Sequence, residues 1–171
     1  SDVARMYLAP CRDGEAHILS YMKGLPRAHP AGTHWNYSTG ETDLLGILVQ
    51  RATGLSLAAD LSRTLWQPWG MAADAYWLAD ECDGSNIGGS GLSATLPDYA
   101  RIGQFMLDGA RIDGHQVVDA AWLRGATVLQ ETTQDRERGY GYLWWIDSDG
   151  SYAGLGIFGQ LLYIDPARRL V

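Results

Sequence analysis

A tyrosine at the start of a predicted helix is the residue of this sequence that could most readily do chemistry. Tyr37 follows a loop rich in proline and glycine and directly precedes a helical pattern that begins at Ser38. The positive end of a helix dipole favours a phenolate over a phenol. A free tyrosine titrates at about 10 and is a poor base at neutral pH. A catalytic role for Tyr37 therefore requires a nearby cation that lowers the pKa of its phenol.

A glycine-rich region near the end of the sequence is the second place of interest. Gly154, Gly156 and Gly159 interrupt a strand pattern between Ser151 and Ile164. Glycines of this kind are often simple β-bulges. Taken alone, this spacing predicts a structural role.

Two other positions have both a structural and a functional interpretation. Asn86 lies in a polar, glycine-rich loop, where an asparagine usually serves the turn and less often contacts a substrate. Trp144 and Trp145 are expected on opposite sides of a strand. One of them is predicted to lie in the core and the other, assigned here as Trp145, to line a substrate cleft.

Several segments resemble one enzyme family, in that family's order. The string Pro-x-Gly-Thr-x-Trp-x-Tyr-Ser, which contains Tyr37, is similar to the tyrosine box of the serine hydrolases that include class C β-lactamases, esterases and 6-aminohexanoate-dimer hydrolases. The resemblance continues through residues 44–46, 52–54, 68–71, 88–95, 98–103, 141–145 and 154–160. It covers nearly all of the chain from about Pro30 onward.

The resemblance implies a mechanism and a role for Tyr37. In this family a serine attacks an acyl carbon, a lysine and the tyrosine handle its proton, and the acyl-enzyme is then hydrolysed. Tyr37 matches the tyrosine. The box ends in Thr39 where many β-lactamases have asparagine. That departure disfavours recognition of a β-lactam.

The last matching box also departs from the β-lactamase pattern. Gly154, Leu155 and Gly156 stand where β-lactamases have Lys-Thr-Gly and many esterases have His-x-Gly. The next residue, Ile157, is where the family supplies a backbone N–H to the oxyanion hole. Loss of one such donor typically costs about 100- to 1,000-fold in rate. The resemblance therefore implies a catalytic role for the Ile157 N–H, a substrate contact at Gly156, and an amide or ester substrate without the β-lactam carboxylate.

The only Ser-x-x-Lys string is not interpreted as the nucleophile. Ser20 and Lys23 match the family's pattern, and Lys23 is the sole lysine. However, the family places this box much further before the tyrosine. A lysine at a helix C-terminus also has a simple structural role, because it suits the dipole. We expect the true serine to lie upstream of this sequence and this piece to be inactive alone.

Charge and composition disfavour two classes of protein. The formal net charge of −7 disfavours a nucleic-acid binder, and no apolar run reaches the roughly 20 residues of a membrane span. The cysteines, Cys11 and Cys82, fit no metal spacing and are expected to be buried thiols, with a disulfide as the alternative. No metal or other cofactor is predicted. Cytoplasmic and periplasmic locations and a homodimer all stay open.

The predicted elements give an α+β fold. Helices are expected at about residues 15–23, from Ser38 to a stop at Gly54, at 57–65 and, with Thr95 as its cap, at 97–107. A short helix capped by Asp119 is also expected. Strand-like segments follow from Tyr140, and the end of the sequence looks like the start of another strand. We expect one partial β-lactamase/transpeptidase-like domain over 1–171, mainly helical to 139 and an antiparallel meander over 140–171.

Other functions stay open beside the 6-aminohexanoate-dimer-hydrolase-like amidase. An esterase or a β-lactamase of the same superfamily is one alternative. A penicillin-binding-protein-like sensor that acylates slowly is a second. A non-catalytic module that binds an organic or peptide ligand through its aromatic residues is the third.

Overall fold

The computed structural model describes residues 2–11, 13–133 and 138–171, whose contacts divide the chain into two compact units. The first unit is Ser1–Gln67 with Asp74–Ala94, and the second is Pro68–Ala73 with Thr95–Val171. The first is mainly helical, and the second carries an antiparallel sheet. The predicted α+β class is confirmed. A single domain over 1–171 stays a prediction.

Among its described residues, the first unit contains four α-helices and a pair of short strands. In chain order these are α1 (Asp2–Tyr7), α2 (His17–Lys23), α3 (Thr39–Thr53), α4 (Leu57–Leu61), β1 (Tyr76–Trp77) and β2 (Leu92–Ser93). A π-helical segment, Ser62–Trp66, continues α4 directly. The helix expected at 57–65 is therefore confirmed in extent, but its second half is wound more widely than an α-helix.

Helix α3 begins and ends as its sequence predicts, yet it buries a different face. The Ser38 hydroxyl accepts a hydrogen bond from the Glu41 N–H at 3.3 Å, and Gly54 ends the helix in the left-handed conformation. The apolar stripe that predicted the helix, which includes Leu48, is largely exposed among the described residues. The buried positions are Gly40, Asp43 and Gly46. Small residues on this face allow the helix to pack closely, which the apolar spacing did not indicate.

The two cysteines form a disulfide, so the expectation of two buried thiols is wrong. Cys11 and Cys82 are 71 residues apart in sequence, and their Cα atoms lie 5.5 Å apart. That separation is within the range a disulfide bridges without backbone movement. The cross-link joins the segment between α1 and α2 to the loop that follows β1.

The second unit begins with helices and small strands and ends in a meander. Its elements are α5 (Leu96–Leu107), β3 (Arg111–Ile112), β4 (His115–Gln116), α6 (Ala120–Ala126), β5 (Glu131–Thr132), β6 (Gly139–Tyr140), β7 (Trp145–Ile146), β8 (Tyr152–Leu155) and β9 (Leu161–Ile164). Strands β5 to β9 form one sheet in sequence order, and every neighbouring pair is antiparallel.

The helix caps expected in this unit are confirmed, and two strand predictions need correction. The Thr95 and Asp119 side chains accept hydrogen bonds from the first turns of α5 and α6. The aromatic segment from Tyr140 to Ile146 is a hairpin rather than one strand, because Leu143 adopts a left-handed φ of 67° in its turn. At the end of the chain, Leu170 forms only an isolated bridge to Asp165.

The core of the second unit lies on one side of the meander. Ile146, Tyr152 and Ile164 form a buried cluster, and Trp144 packs against it. Trp144 precedes β7 and meets the Tyr152 ring edge to face at 5.2 Å. Trp144 is thus the core member of the tryptophan pair, as the alternation predicted for one of them.

Membrane-spanning potential was searched among the described residues. No single helix there is long and apolar enough to cross a bilayer. Taken together, Thr39–Thr53 and Leu57–Trp66 meet the length and composition criteria, but a 69° bend separates them.

Candidate active site

Tyr37 lies immediately before the residue that caps α3. Its neighbour Ser38 provides the cap, and the Tyr37 carbonyl accepts a hydrogen bond from the Asn36 side chain at 3.3 Å. The Tyr37 side chain is 52% exposed. The residue therefore stands at the helix start that the sequence predicts, with a phenol that solvent or a substrate can reach. Its catalytic role stays a prediction.

A buried carboxylate of α3 is the strongest feature that sequence reasoning missed. Asp43 is 1% exposed. Its Oδ1 accepts a hydrogen bond from the Gly89 N–H at 2.6 Å, and its Oδ2 accepts one from the Tyr7 hydroxyl at 3.2 Å. Burial raises the pKa of Asp43 above its usual range, and these hydrogen bonds oppose that shift.

The loop approaches the Asp43 carboxylate so closely that only a glycine fits at position 89. A Cβ at residue 89 would lie 2.8 Å from the Asp43 Oδ1, which is shorter than real Cβ contacts. It would also crowd the Thr39 carbonyl at 3.1 Å. The glycine-rich loop that resembles a family box thus brings its backbone against a helix carboxylate.

Tyr7 extends this arrangement to Ser90. The Tyr7 hydroxyl also lies 3.3 Å from the Ser90 hydroxyl. Burial is the main cause that raises the pKa of Tyr7, and the negative charge of Asp43 adds to it. We call Tyr7, Asp43, Gly89 and Ser90 the Asp43 network. It brings together a phenol, a buried carboxylate and a serine hydroxyl within the first unit.

The Asp43 network can donate and accept hydrogen bonds, but it does not activate Ser90. A phenol with a raised pKa stays protonated at neutral pH and acts as a donor rather than a base. The contact between Tyr7 and Ser90 therefore positions the serine hydroxyl without making it a nucleophile. A buried carboxyl with a perturbed pKa is nevertheless a common mark of functional sites.

Ser20 and Lys23 lie in α2 and do not form a catalytic pair. The Lys23 ammonium pairs with the Glu15 carboxylate, and no hydrogen bond joins it to Ser20 within the described ranges. Ser20 lines a groove of about 610 Å³ beside Leu8 and Leu25. The ion pair supports the structural interpretation of this Ser-x-x-Lys string.

Asn86 is buried and makes internal hydrogen bonds. Its Oδ1 accepts from the Ala58 N–H at 3.0 Å, and its Nδ2 donates to the Leu78 carbonyl at 3.4 Å. Its backbone N–H donates to the Gln50 side chain at 2.8 Å. This environment favours the structural role of Asn86 over the substrate contact that was also considered.

In the second unit, Gly156 and Ile157 form part of the tip of the β8–β9 hairpin. The Gly156 N–H donates to the Gln160 carbonyl at 2.8 Å, and a Cβ at residue 156 would collide with the Gln160 side chain. The Ile157 side chain is 92% exposed. Within the part of the chain that the structure describes, the Ile157 N–H has no hydrogen-bond partner. A backbone donor is therefore available where the sequence predicts one.

Gln160 was missed as a shaping residue of this tip. Its Oε1 accepts a hydrogen bond from the Phe158 N–H at 3.1 Å, so the side chain holds the turn from within. Trp145 lies elsewhere in the sheet, with its ring edge to face against Tyr140 at 5.1 Å. It is partly buried, and its substrate role stays a prediction.

One group of side chains has atoms suited to a metal. The imidazole of His17, the carboxylate of Asp80 and the sulfur of Cys82 bring their ligand atoms within 4.8 Å of one another. Sequence spacing does not indicate this group, because His17 and Cys82 are far apart along the chain.

Comparison with known proteins gives consistent matches. The family model described as Beta-lactamase matches residues 3–171. A 6-aminohexanoate-dimer hydrolase of Paenarthrobacter ureafaciens is 33% identical over 167 residues, which cover 91% of this chain and 42% of that protein. The chain thus spans less than half the length of this relative.

Solved structures agree on the fold. A Bacillus anthracis protein assigned as a 6-aminohexanoate-dimer hydrolase superposes with a TM-score of 0.86 and 30% identity, covering 98% of this chain and 46% of that one. A β-lactamase from Mycobacterium bovis superposes with a TM-score of 0.65 at 21% identity, covering 94% of this chain and 65% of that one. At that identity the second likeness concerns the fold alone.

Proposed function

Because this chain belongs to the Beta-lactamase family, we propose that it is part of a serine hydrolase that cleaves amide or ester bonds through an acyl-enzyme. The observation that carries the proposal is the 33% identity over 167 residues to a 6-aminohexanoate-dimer hydrolase. A linear amide of that kind is the proposed substrate class.

Tyr37 is the proposed proton-transfer residue. A serine hydroxyl attacks the acyl carbon, and its proton passes through Tyr37 and a lysine to the leaving amine or alcohol. Water then cleaves the acyl-enzyme by the same route in reverse. The serine and the lysine are proposed to lie outside these 171 residues. The exposed phenol before α3 supports this role.

The Ile157 N–H is the proposed oxyanion donor. Such a donor must be free in the resting enzyme and held by a rigid backbone, so that no reorganisation occurs during reaction. The unpartnered N–H and the turn held by Gln160 support this assignment. Gly156 is proposed to allow substrate to approach this backbone.

The substrate is proposed to be an amide or ester without a carboxylate beside the scissile bond. The positions that match the cationic box of β-lactamases are Gly154, Leu155 and Gly156, none of which carries charge. Thr39 in the tyrosine box supports the same preference. A β-lactamase remains the weaker alternative, because recognition of its substrate requires an anion-binding residue.

Covalent labelling tests this proposal directly. The full-length protein and the 171-residue chain are each treated with a fluorophosphonate probe, and the adducts are mapped by mass spectrometry. We expect a serine adduct outside residues 1–171 of the full-length protein and none on the shorter chain. An adduct at Ser20 would overturn the assignment of the nucleophile. Failure of the full-length protein to label would favour a non-catalytic binding module.

A further inference from the structure

The group formed by His17, Asp80 and Cys82 has the geometry of an incomplete metal site. The His17 Nδ1 lies 3.1 Å from the Asp80 Oδ2 and 3.8 Å from the Cys82 Sγ. A tetrahedral zinc site with bonds of about 2.0–2.3 Å has ligand-to-ligand distances of roughly 3.3–3.8 Å. The two distances from the His17 Nδ1 are therefore close to the edges of such a site, and all three ligand atoms lie within 4.8 Å of one another.

Backbone hydrogen bonds hold this group in place. The Asp80 Oδ2 accepts from the His17 N–H at 3.0 Å, and its Oδ1 accepts from the Cys82 N–H at 2.8 Å. The Asp80 N–H in turn donates to the Ser85 carbonyl at 2.7 Å. A carboxylate fixed in this way resembles the pre-oriented ligands of metal sites, whose outer hydrogen bonds set their direction.

The His17 side chain is buried, and one of its two ring nitrogens has no hydrogen-bond partner among the described residues. The residue is 6% exposed, and its Nε2 has no hydrogen-bond partner among the described residues. A buried polar atom without a partner is uncommon and requires an explanation. Because the Asp80 carboxylate can only accept, its 3.1 Å contact favours a proton on the His17 Nδ1 in the resting protein. A cation that binds the Nδ1 lone pair replaces that proton, which the vacant Nε2 can take up.

A fourth ligand is already attached to the group. Cys11 is bonded to Cys82, with the two Cα atoms 5.5 Å apart. While the disulfide is intact, neither sulfur is a thiolate, and a thiolate is the form that binds zinc. The oxidised cysteine pair therefore blocks metal binding, and reduction of the pair supplies two sulfur ligands.

We propose that reduction of this disulfide creates a site for a zinc-like divalent cation, bound by Cys11, Cys82, the His17 Nδ1 and the Asp80 carboxylate. A dithiol reductant supplies two electrons and two protons, so the S–S bond breaks, two thiols form and the reductant closes to its own disulfide. Metal binding then releases both thiol protons to solvent as the metal–sulfur bonds form.

With such a site, the segments that carry Cys11 and Cys82 are cross-linked under both oxidising and reducing conditions. The disulfide ties the segment that carries Cys11 to the loop that carries Cys82 where conditions are oxidising. A bound cation makes the same connection where thiols stay reduced. The two states exclude each other, because both use the same sulfurs.

Cobalt binding tests the proposal on the full-length protein. Co²⁺ is titrated anaerobically into the oxidised protein and into protein reduced with a dithiol that is then removed. We expect the reduced form to bind one equivalent, with the visible bands of tetrahedral cobalt and a thiolate charge-transfer band, and Zn²⁺ to displace it. Zn²⁺ should also raise the Tm of the reduced protein only. Equal binding by both forms, or no thiolate band, would overturn the proposal.

Matched variants locate the ligands. Asp80→Asn should weaken Co²⁺ binding by about tenfold or more, whereas Glu81→Gln, on an exposed residue of the same loop, should leave it unchanged. If Asp80→Asn does not fold, Cys11→Ala provides the test at an exposed position. It should weaken the thiolate band and the affinity together. Unchanged binding in Cys11→Ala would contradict the assignment.

Discussion

Two buried aspartates, one in each unit, have opposite pKa shifts. Asp43 in α3 is 1% exposed and Asp98 in α5 is 0% exposed. The Asp98 carboxylate accepts from the Ala72 N–H at 2.7 Å and from the Arg101 guanidinium at 2.9 Å. The hydrogen bond from Ala72 is the largest cause that lowers the pKa of Asp98, with Thr95 and Arg101 adding to it.

The two pKa shifts differ because the carboxylates accept hydrogen bonds from different sets of donors, whereas both are almost fully buried. Asp98 is held by several donors, one of them cationic, so its charge is stabilised and its role is structural. Asp43 has one backbone donor and one phenol, and burial raises its pKa. A buried carboxyl without full compensation is more typical of a functional site than of a fold-stabilising one. Of the two carboxyl groups, Asp43 is therefore the stronger candidate for a functional role.

Removing the Asp98 charge should give the largest effect on stability. Asp98→Asn replaces an acceptor with an amide group that cannot satisfy all of the donors, including the Ala72 N–H. We expect the Tm to fall by about 6–12 °C in calorimetry. The matched control is Asp113→Asn, on an exposed turn residue with a left-handed φ of 48° that asparagine tolerates. A similar Tm for both variants would remove the structural role of Asp98.

Crowding the Asp43 network should give the next largest effect. Gly89→Ala places a methyl group against the Asp43 carboxylate and the Thr39 carbonyl, so the loop must move. We expect a loss of about 1–3 kcal/mol in the free energy of unfolding, measured with denaturant. Gly154→Ala is the control, because the nearest atom to its Cβ would lie 3.9 Å away. Equal losses would show that the close approach at Gly89 is unimportant.

The two aspartates should respond to pH in opposite directions. Asp98 has a lowered pKa, so its stabilisation is present above its unfolded value of 3.8 and is lost as the pH falls through the folded pKa. Asp43 has a raised pKa, so its stabilisation is present below 3.8 and is lost as the pH rises through the folded pKa. Relative to the wild type, Asp43→Asn should therefore gain Tm as the pH rises above 4. A difference in Tm that is constant with pH would contradict the raised pKa.

Removing the Tyr7 hydroxyl should give the smallest effect, because it takes away one of the two hydrogen bonds to Asp43. The hydrogen bond from Tyr7 lowers the pKa of Asp43, so Tyr7→Phe should raise that pKa further. The measurement is a carboxyl-carbon NMR titration. Tyr21→Phe, in α2, serves as the control. A pKa of Asp43 that does not move would mean that Tyr7 and Asp43 are uncoupled.

Local chemistry explains which parts of the fold could be predicted. Ser38, Gly54, Thr95 and Asp119 act through their own neighbours in sequence, so their helix boundaries followed from residue type. The π-helical segment could not be predicted, because nothing in its residue types distinguishes it from a continued α-helix.

The features that were missed depend on contacts between distant residues. The disulfide joins cysteines 71 residues apart, and sequence spacing does not indicate such a pair. Asp43 looks like a surface acid within an amphipathic helix, and only the approach of Gly89 reveals its burial. Tyr37 and Ile157, in contrast, are predictions from a resemblance to a family, which implies a chemical role for a residue but not the contacts around it.

The acylation rate of a Tyr37 variant tests the central claim most directly. Pre-steady-state acylation of the full-length protein by an activated ester or a linear amide is compared for the wild type, Tyr37→Phe and Tyr21→Phe. We predict that Tyr37→Phe slows acylation by about 100-fold or more, while Tyr21→Phe changes it little. An unchanged acylation rate in Tyr37→Phe would contradict the proposed role of this tyrosine in proton transfer.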